Sequence, residues 1–299
     1  MPTNKTALIT GIQGFTGSYM QAELTAAGYR VVGLGSHAGP DQDDYRQVNL
    51  VDGAAVKQTI QDIQPSVIVH LAAVAFVGHG NANAFYEVNL IGTRNLLEGI
   101  AAMDSIPDCV LLASSANVYG NAQEGILSED TVPAPANHYA VSKLAMEHMA
   151  TLYSAIFPIV IARPFNYTGL GQSDKFLIPK IVSHFRSKAP IIELGNLDVW
   201  RDFSDVRSIA QAYRRLLEVP SAAGQTVNVC SGETYSLREI IDICSTITGH
   251  SLNVHVNPAF VRSNEIKSLC GDGSRLRGLI GVWKSVPLAK TLQWMLAVN

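Results

Sequence analysis

The chain has 299 residues, of which 47% are hydrophobic and 16% are charged, and its formal net charge at pH 7 is −3. This balance suits a soluble α/β protein with a sizeable core and lacks the basic footprint of a nucleic-acid-binding protein. No apolar run approaches the roughly 20 residues of a membrane span, and the N-terminus has no secretion-signal pattern. We therefore predict a cytoplasmic protein with neither a nucleic-acid partner nor a membrane.

Short apolar runs rich in β-branched residues alternate with segments of helical periodicity. The predicted strands are 6–11, 30–35, 67–73, 109–115, 159–164 and 226–232. The predicted helices are 16–27, 53–63, 84–103, 138–156 and 236–248. Such alternation implies right-handed βαβ crossovers, and hence a Rossmann-type, doubly wound parallel sheet with helices on both faces.

After residue 164 the pattern becomes less regular, which indicates a smaller mixed α/β lobe. We predict that residues 1–164 and about 201–232 form the sheet domain, and that 165–200 and 233–299 form the lobe. Such a lobe would close a cleft over the carboxyl ends of the strands, where ligands of doubly wound sheets bind.

The segment "TGIQGFTG" joins the first predicted strand to the first predicted helix. Its GxxGxxG spacing allows a tight turn and lets backbone N–H groups approach a diphosphate at the helix N-terminus. An ordinary turn is the alternative, but the position after the first strand favours a dinucleotide. The predicted cofactor contacts in this turn are Gly11, Gln13, Gly14, Phe15, Thr16 and Gly17.

The residues after the second strand bear on the choice of cofactor. NAD-selective sites place an acid here to bind the ribose hydroxyls, whereas this chain has Ser36 and His37 and no acid before Asp41. A 2′-phosphate is then not repelled, and both side chains can hydrogen-bond to it. We favour NADP(H); NAD(H) stays the alternative because a clear arginine is also missing.

Tyr139 and Lys143 are four residues apart in a predicted helix and therefore share a face. A free tyrosine has a pKa of about 10, and a nearby ammonium lowers it towards the range useful for acid/base work. Lys143 can also hold the ribose of a nicotinamide nucleotide. A surface tyrosine beside a solvated lysine is the alternative interpretation of this pair.

Five motifs follow one another along the chain: TGxxGxxG, "HLAA" at 70–73, "VNLIGTRNLLE" at 88–98, "SSANVYG" at 114–120 and YxxxK at 139–143. This set resembles the extended short-chain dehydrogenase/reductase family. The resemblance implies that Ser115, Tyr139 and Lys143 are catalytic and that Asn89 supports the lysine. It also implies cofactor contacts at Asn49, Leu50, Leu71, Ala72, Ala73 and Asn89, although Asn49 stands where many relatives have an aspartate near the adenine.

Within this family, 4,6-dehydratases carry an acidic residue, often an Asp-Glu pair, directly after the hydroxyl residue. This chain has Ala116 and Asn117 there, so we predict that it does not dehydrate its substrate. The runs "ARPFNYTGLGQ" and "GNLDVWRDF" resemble GDP-6-deoxy-4-keto-sugar reductases, whose pattern RPFNHxGPGQ has histidine and proline where this chain has Tyr167 and Leu170. Those two departures leave a different 4-keto-hexose, or a heptose, open.

A nucleotide diphosphate needs fixed cations and polar groups. The predicted substrate contacts are Ser115, Asn166, Lys175, Arg201, Arg262 and Glu265. The resemblance implies an NADPH-dependent reduction of the C4 ketone of a GDP-linked 4-keto-6-deoxy sugar to GDP-rhamnose, or to its C4 epimer GDP-6-deoxytalose. A 4-epimerase with tightly bound NAD and a non-catalytic cofactor-binding protein are the alternatives.

The apolar stripes of helices 84–103 and 138–156 predict a homodimer interface, because related proteins use these two helices for it; ordinary core packing is the alternative. The four cysteines form no CxxC pair and the histidines form no metal-ligand spacing, so we predict reduced structural thiols and no metal.

Overall fold

A computed structural model describes residues 5–39, 44–75, 80–120, 125–260 and 267–297. The strands, in chain order, are β1 (Thr6–Thr10), β2 (Arg30–Gly35), β3 (Tyr45–Gln47), β4 (Val67–His70), β5 (Cys109–Ala113), β6 (Gly125–Leu127), β7 (Ile159–Pro164), β8 (Asn166–Thr168), β9 (Ile191–Leu194), β10 (Trp200–Asp205), β11 (Thr226–Val229), β12 (Thr234–Ser236), β13 (Asn253–Val256) and β14 (Ser268–Gly271). The α-helices are α1 (Phe15–Ala26), α2 (Gly53–Ile63), α3 (Ala82–Tyr86), α4 (Thr93–Ala101), α5 (His138–Thr151), α6 (Leu177–Arg186), α7 (Val206–Leu217), α8 (Leu237–Thr248), α9 (Ser274–Ile280) and α10 (Leu288–Ala297).

Seven strands form one sheet in the order β11-β7-β5-β4-β1-β2-β3, and every pairing in it is parallel. Apolar clusters bury both faces of this sheet, which explains why its central strands are continuous apolar runs. The predicted Rossmann-type fold is confirmed. The strand order reverses between β1 and β4, and the crevice at their carboxyl ends is where ligands of such sheets bind.

Several predicted elements are shorter than expected. The strands predicted at 67–73, 109–115 and 226–232 end at His70, Ala113 and Val229, because the chain leaves the sheet there to form the loops above it. The helix predicted at 84–103 consists of α3, a π-helical turn over Glu87–Gly92, and α4. Apolar spacing does not reveal a π-turn, because the turn adds one residue without changing the composition of the helix.

A smaller β-structure is built mostly from the second half of the chain. Strands β12, β10, β14 and β6 form a second sheet, with β8 paired to β10, and β13 pairs with β9 in a two-stranded sheet. Their apolar side chains pack with α6, α8 and α10 in a separate core. Several of these strands have only three residues, too few for alternation to be recognised in the sequence.

Among the helices of the described residues, none combines the length and apolar composition of a membrane span. The four cysteines carry free thiols, and burial raises the pKa of Cys109 and Cys244 to about 12. Such thiols are poor nucleophiles at neutral pH.

Candidate active site

The three predicted catalytic residues lie together at the carboxyl end of β5. Ser115 follows that strand, and the Lys143 Nζ atom donates a 2.6 Å hydrogen bond to the carbonyl oxygen of Ala113, the last residue of β5. Asn137 caps α5 by accepting from the Ala140 N–H at 2.9 Å, which places Tyr139 in the first helical turn. All three catalytic side chains are buried, with 2–8% of each residue exposed.

Ser115 is held as a hydrogen-bond donor. Its Oγ accepts from both the backbone N–H and the side-chain Nδ2 of Asn117, each at 3.1 Å. Because these two donors occupy the acceptor positions of the oxygen, the hydroxyl proton is directed elsewhere. A hydrogen bond between Ser115 and Tyr139 also lowers the pKa of the phenol, which is the effect of a donor on a phenolate.

Burial, rather than the lysine, dominates the pKa of Tyr139. Desolvation raises it to about 12, against the smaller lowering effect of Ser115. The expectation that Lys143 lowers the pKa of Tyr139 is therefore wrong for this structure, in which the ammonium is bound to the Ala113 carbonyl. Burial in turn lowers the pKa of Lys143 to about 8, opposed by the charge of Glu147 one turn further along α5. At neutral pH, Tyr139 is a neutral phenol and a proton donor.

Asn89 lies within the π-helical turn and is fully buried. Its Oδ1 accepts from the Val74 N–H at 2.8 Å, and its Nδ2 donates to the Val74 carbonyl at 3.1 Å and to Ser142 Oγ at 3.0 Å. Its amide is thus engaged with the loop after β4 and with the residue preceding Lys143. Asn89 therefore holds the loop after β4 against α5, and its predicted contact with the cofactor stays a prediction.

His70, which the sequence showed only as part of a motif, joins β1 to the π-helical turn. The Thr93 hydroxyl donates to the Asn89 carbonyl at 2.7 Å, so it must accept from His70 Nε2–H, 2.7 Å away. His70 Nδ1 then accepts from the Thr10 hydroxyl at 2.6 Å, whose oxygen accepts from the Ala72 N–H at 3.2 Å. Burial lowers the pKa of His70 to about 3, so the ring stays neutral and this hydrogen-bond direction is fixed.

The glycine turn fits a dinucleotide diphosphate. Gly11 has φ +72°, and a Cβ there would lie 2.8 Å from the Ala72 nitrogen; a Cβ on Gly17 would lie 2.3 Å from the Gly11 oxygen. Gly14 is the N-cap of α1 and has no side chain to occupy the free N–H groups, and the first turn of α1 carries no acidic residue. The backbone N–H groups of Phe15 and Thr16 therefore begin a helix that is open to an anion.

The predicted adenosine contacts lie at the end of β2. Ser36 and His37 are exposed, with Ser36 Oγ 3.3 Å from His37 Nδ1. Gln13 Nε2 donates to the Ala38 carbonyl at 3.1 Å, so the glycine turn and this loop are joined. Asn49 Oδ1 accepts from the Val51 N–H at 3.1 Å. The remaining predicted cofactor residues, all close to these loops, are Leu50, Leu71, Ala72 and Ala73.

Apart from Ser115, which follows β5, the predicted substrate contacts that the structure describes lie in the smaller lobe. Asn166 lies on β8 opposite Phe203 of β10, and its Nδ2 donates to the Asp202 carbonyl at 3.1 Å. Arg201 lies on β10 two residues before Phe203, where its Nη1 donates to the Trp200 carbonyl at 2.8 Å. Lys175 is exposed in the turn before α6. Arg262 and Glu265 lie outside the described residues.

A cavity of about 720 Å³ opens beside Tyr139, a volume in the usual range for ligand pockets. Phe85, Tyr86 and His138 line it, and the Tyr86 hydroxyl lies 2.8 Å from His138 Nδ1. Sequence reasoning missed these three residues, although each lies within four positions of a predicted site residue. These aromatic side chains form one wall of the cavity beside the Tyr139 phenol.

Comparisons with known proteins agree with this geometry. The sequence profile of the family described as GDP-mannose 4,6 dehydratase matches residues 8–295. GDP-6-deoxy-D-talose 4-dehydrogenase of Aggregatibacter actinomycetemcomitans is 39% identical over 78% of this chain and 79% of its own length. GDP-6-deoxy-D-mannose reductase of Pseudomonas aeruginosa is 32% identical over 97% of this chain and 95% of its own length.

Two solved structures extend the comparison. A crystal structure from Burkholderia cenocepacia J2315, described as a candidate epimerase, is 48% identical and superposes with a TM-score of 0.93 over 99% of this chain and 98% of that chain. The structure of RMD from Pseudomonas aeruginosa complexed with NADPH is 31% identical, with a TM-score of 0.85 over 98% of this chain and 97% of that chain. These findings confirm the resemblance drawn from the sequence motifs.

Proposed function

The chain belongs to the GDP-mannose 4,6-dehydratase family of extended short-chain dehydrogenases/reductases, and on this basis we propose that it reduces the C4 ketone of a GDP-4-keto-6-deoxy-hexose with NADPH. One observation carries the proposal: a buried, protonated Tyr139 lies with Ser115 and Lys143 at the carboxyl end of β5, without a dehydratase acid beside them. Ala116 and Asn117 occupy the acid positions, and Asn117 is engaged in orienting Ser115.

The proposed mechanism divides the work among these side chains. Bound NADPH supplies the hydride that reduces C4. The Ser115 hydroxyl hydrogen-bonds to the C4 oxygen, and Tyr139 donates its proton to that oxygen as negative charge develops there. Lys143, whose ammonium is bound to the Ala113 carbonyl in this structure, would hold the ribose of the cofactor. The main sheet would bind the cofactor through the glycine turn, and the smaller lobe would bind the GDP-sugar, with Asn166 and Arg201 as its contacts.

The names of the two relatives support a C4 redox step. 6-Deoxy-talose and 6-deoxy-mannose, which is rhamnose, differ only in configuration at C4, so both arise from one 4-keto precursor by hydride delivery to opposite faces. The reductase matched over nearly the whole chain supports GDP-rhamnose as the product. The relative with the higher identity supports GDP-6-deoxytalose.

The test is the loss of NADPH absorbance when the protein is mixed with freshly prepared GDP-4-keto-6-deoxymannose. Rapid consumption by the wild type, absent in Tyr139→Phe, is the expected result, and NMR of the product then assigns C4. No consumption by the wild type would contradict the proposal.

A 4-epimerase is the second candidate, favoured by the description of the Burkholderia cenocepacia structure. An epimerase would keep NAD bound and return the hydride to the opposite face. Release of NAD on denaturation, together with no net consumption of NADPH, would favour the 4-epimerase.

We also propose a homodimer formed through α4 and α5. Exposed apolar side chains on and just after α5 support it, namely Val141, Leu152 and Ile156 at 38%, 76% and 46% exposure. Light scattering after gel filtration is the check, and a monomeric mass at micromolar concentration would refute it.

A further inference from the structure

Tyr167 belongs to β8 of the smaller lobe, yet its side chain contacts the glycine turn. Its ring stacks on that of Phe15, with centroids 6.1 Å apart and planes inclined by 12°. Its hydroxyl lies 2.8 Å from Thr16 Oγ1, in a hydrogen bond that spans 151 residues of sequence. Phe15 and Thr16 are the first two residues of α1, whose free N–H groups suit a cofactor diphosphate. Tyr167 therefore fixes the part of the chain that would bind this diphosphate.

The other end of this connection is the region proposed to bind the GDP-sugar. Asn166, the residue before Tyr167, donates to the Asp202 carbonyl at 3.1 Å. The buried Asp202 carboxylate accepts from the N–H group of Gly232, in the loop before β12, at 2.9 Å and from that of Gly271, the last residue of β14, at 3.2 Å. A continuous chain of contacts thus runs from Gly232 and Gly271 through Asp202 and β8 to the first turn of α1.

A second contact between α1 and the lobe serves as a comparison. The Tyr19 hydroxyl donates to the Leu170 carbonyl at 2.8 Å, and the Tyr19 ring packs edge-on against Trp294. This hydrogen bond has the same 2.8 Å length as that of Tyr167 and also joins α1 to the lobe, but it lies one turn further along α1. Tyr167, one of the two departures from the RPFNHxGPGQ pattern, is thus accounted for by its side-chain contacts with α1, whereas Leu170 contributes only its backbone carbonyl.

We propose that Tyr167 is a positioning residue that couples the binding of cofactor to the binding of the GDP-sugar, an inference that rests on the proposed function. One ligand orders the first turn of α1, and Tyr167 transmits this order to β8 and to the lobe residues bound to Asp202. The second ligand then meets a site already arranged for it. Such coupling is reciprocal, so each ligand must tighten the other by the same factor.

The experiment measures the dissociation constant of GDP by calorimetry, with and without saturating NADPH, and that of NADPH with and without GDP. In the wild type, we expect each ligand to tighten the other at least about fivefold, the lower end of typical coupling. Tyr167→Phe keeps the stacked ring and removes only the hydroxyl, and Thr16→Val removes its partner. Both variants should bring the factor below about twofold, since one hydrogen bond typically contributes a factor of roughly two to ten. The double variant should lower it no further.

Tyr19→Phe is the matched control, because it removes the other hydroxyl that joins α1 to the lobe, and it should keep the wild-type factor. A coupling factor unchanged in Tyr167→Phe would overturn the inference. An equal loss in Tyr19→Phe would also overturn it, since docking of the lobe as a whole would then carry the coupling. GDP binding to the wild type with no response to NADPH would refute the coupling and leave the proposed function standing. A wild type that does not bind GDP would refute both.

Discussion

Replacing Arg163 by methionine tests what holds the catalytic helix in place. Arg163 Nη2 and Nε donate to the two carboxylate oxygens of Glu147 at 2.6 and 2.9 Å, and its Nη1 donates to the Tyr119 hydroxyl at 3.0 Å. Ser114 also donates to the Glu147 carboxylate. This cluster fastens α5, which carries Tyr139 and Lys143, to the ends of β5 and β7.

The expected magnitude follows from burial. The side chains of Arg163 and Glu147 are only 7% and 6% exposed, so solvent scarcely screens the pair. Removing one partner of such a pair leaves an uncompensated buried charge and costs about 3–5 kcal/mol. Unfolding entropies of about 2.1 cal/mol/K per residue give roughly 0.6 kcal/mol/K for a chain of this length, so Tm should fall by about 5–8 °C.

The assay is thermal unfolding followed by circular dichroism, together with urea titration of each variant. Arg238→Met is the matched control, because Arg238 pairs with Asp198 at 3.2 Å with both side chains about 60% exposed. That exposed pair should contribute no more than about 1 kcal/mol. If Arg163→Met and Arg238→Met lower Tm equally, the buried cluster does not stabilise the helix as argued here. The Arg163→Met/Glu147→Leu double variant should recover part of the loss, because it also removes the buried carboxylate that Arg163→Met leaves without its guanidinium.

Three further predictions concern the catalytic side chains. Tyr139→Phe should lower turnover by at least about 100-fold, because the proton donor is lost, while the dissociation constant for NADPH in a fluorescence titration stays within about twofold; retained turnover would contradict the donor role. Asn117→Ala, which removes one of the two donors to Ser115, should lower kcat by up to about tenfold with NADPH affinity unchanged, and a change confined to NADPH affinity would contradict the orienting role. Burial lowers the pKa of Lys143 from 10.5 to about 8, so between these pH values the unfolded state binds more protons than the folded state. The free energy of unfolding should therefore rise with pH over this range, by roughly 3 kcal/mol in all. Urea titrations of Lys143→Met should lack this rise, and an equal rise in the variant would refute the lowered pKa.

The main sheet could be predicted because each of its long strands carries a signal within its own residues. β1, β2, β5 and β7 are apolar runs that packing buries on both faces, and the turn signals around them are strong. The spacing of Tyr139 and Lys143 on one face of α5 is local in the same way, whereas Ser115 was identified through its motif after β5.

What the sequence did not predict depends on contacts between distant segments. The hydrogen bond of Tyr167 with Thr16 and that of His70 with Thr93 join elements whose relative placement is known only once the sheet is assembled. The predicted lowering of the Tyr139 pKa was wrong for a related reason. Spacing shows that Lys143 is near, but only the packed structure shows that burial raises this pKa. Proximity in sequence gives the sign of a charge effect, whereas burial decides which effect is larger.

Burial of Tyr139 also determines which form of the phenol the unliganded site contains. A phenol with a pKa of about 12 keeps its proton at neutral pH, and an alkoxide developing at C4 is far more basic, so proton transfer to it runs downhill. Alcohol oxidation must begin instead with loss of that proton, which burial makes about 3 kcal/mol more costly than for a free tyrosine. The hydrogen bond from Ser115 offsets part of this cost. Lys143 offsets no further part of it in this structure, because its ammonium is bound to the Ala113 carbonyl. The unliganded site therefore holds the phenol in the protonated form that ketone reduction would use, and oxidation at the same site would begin from the phenolate.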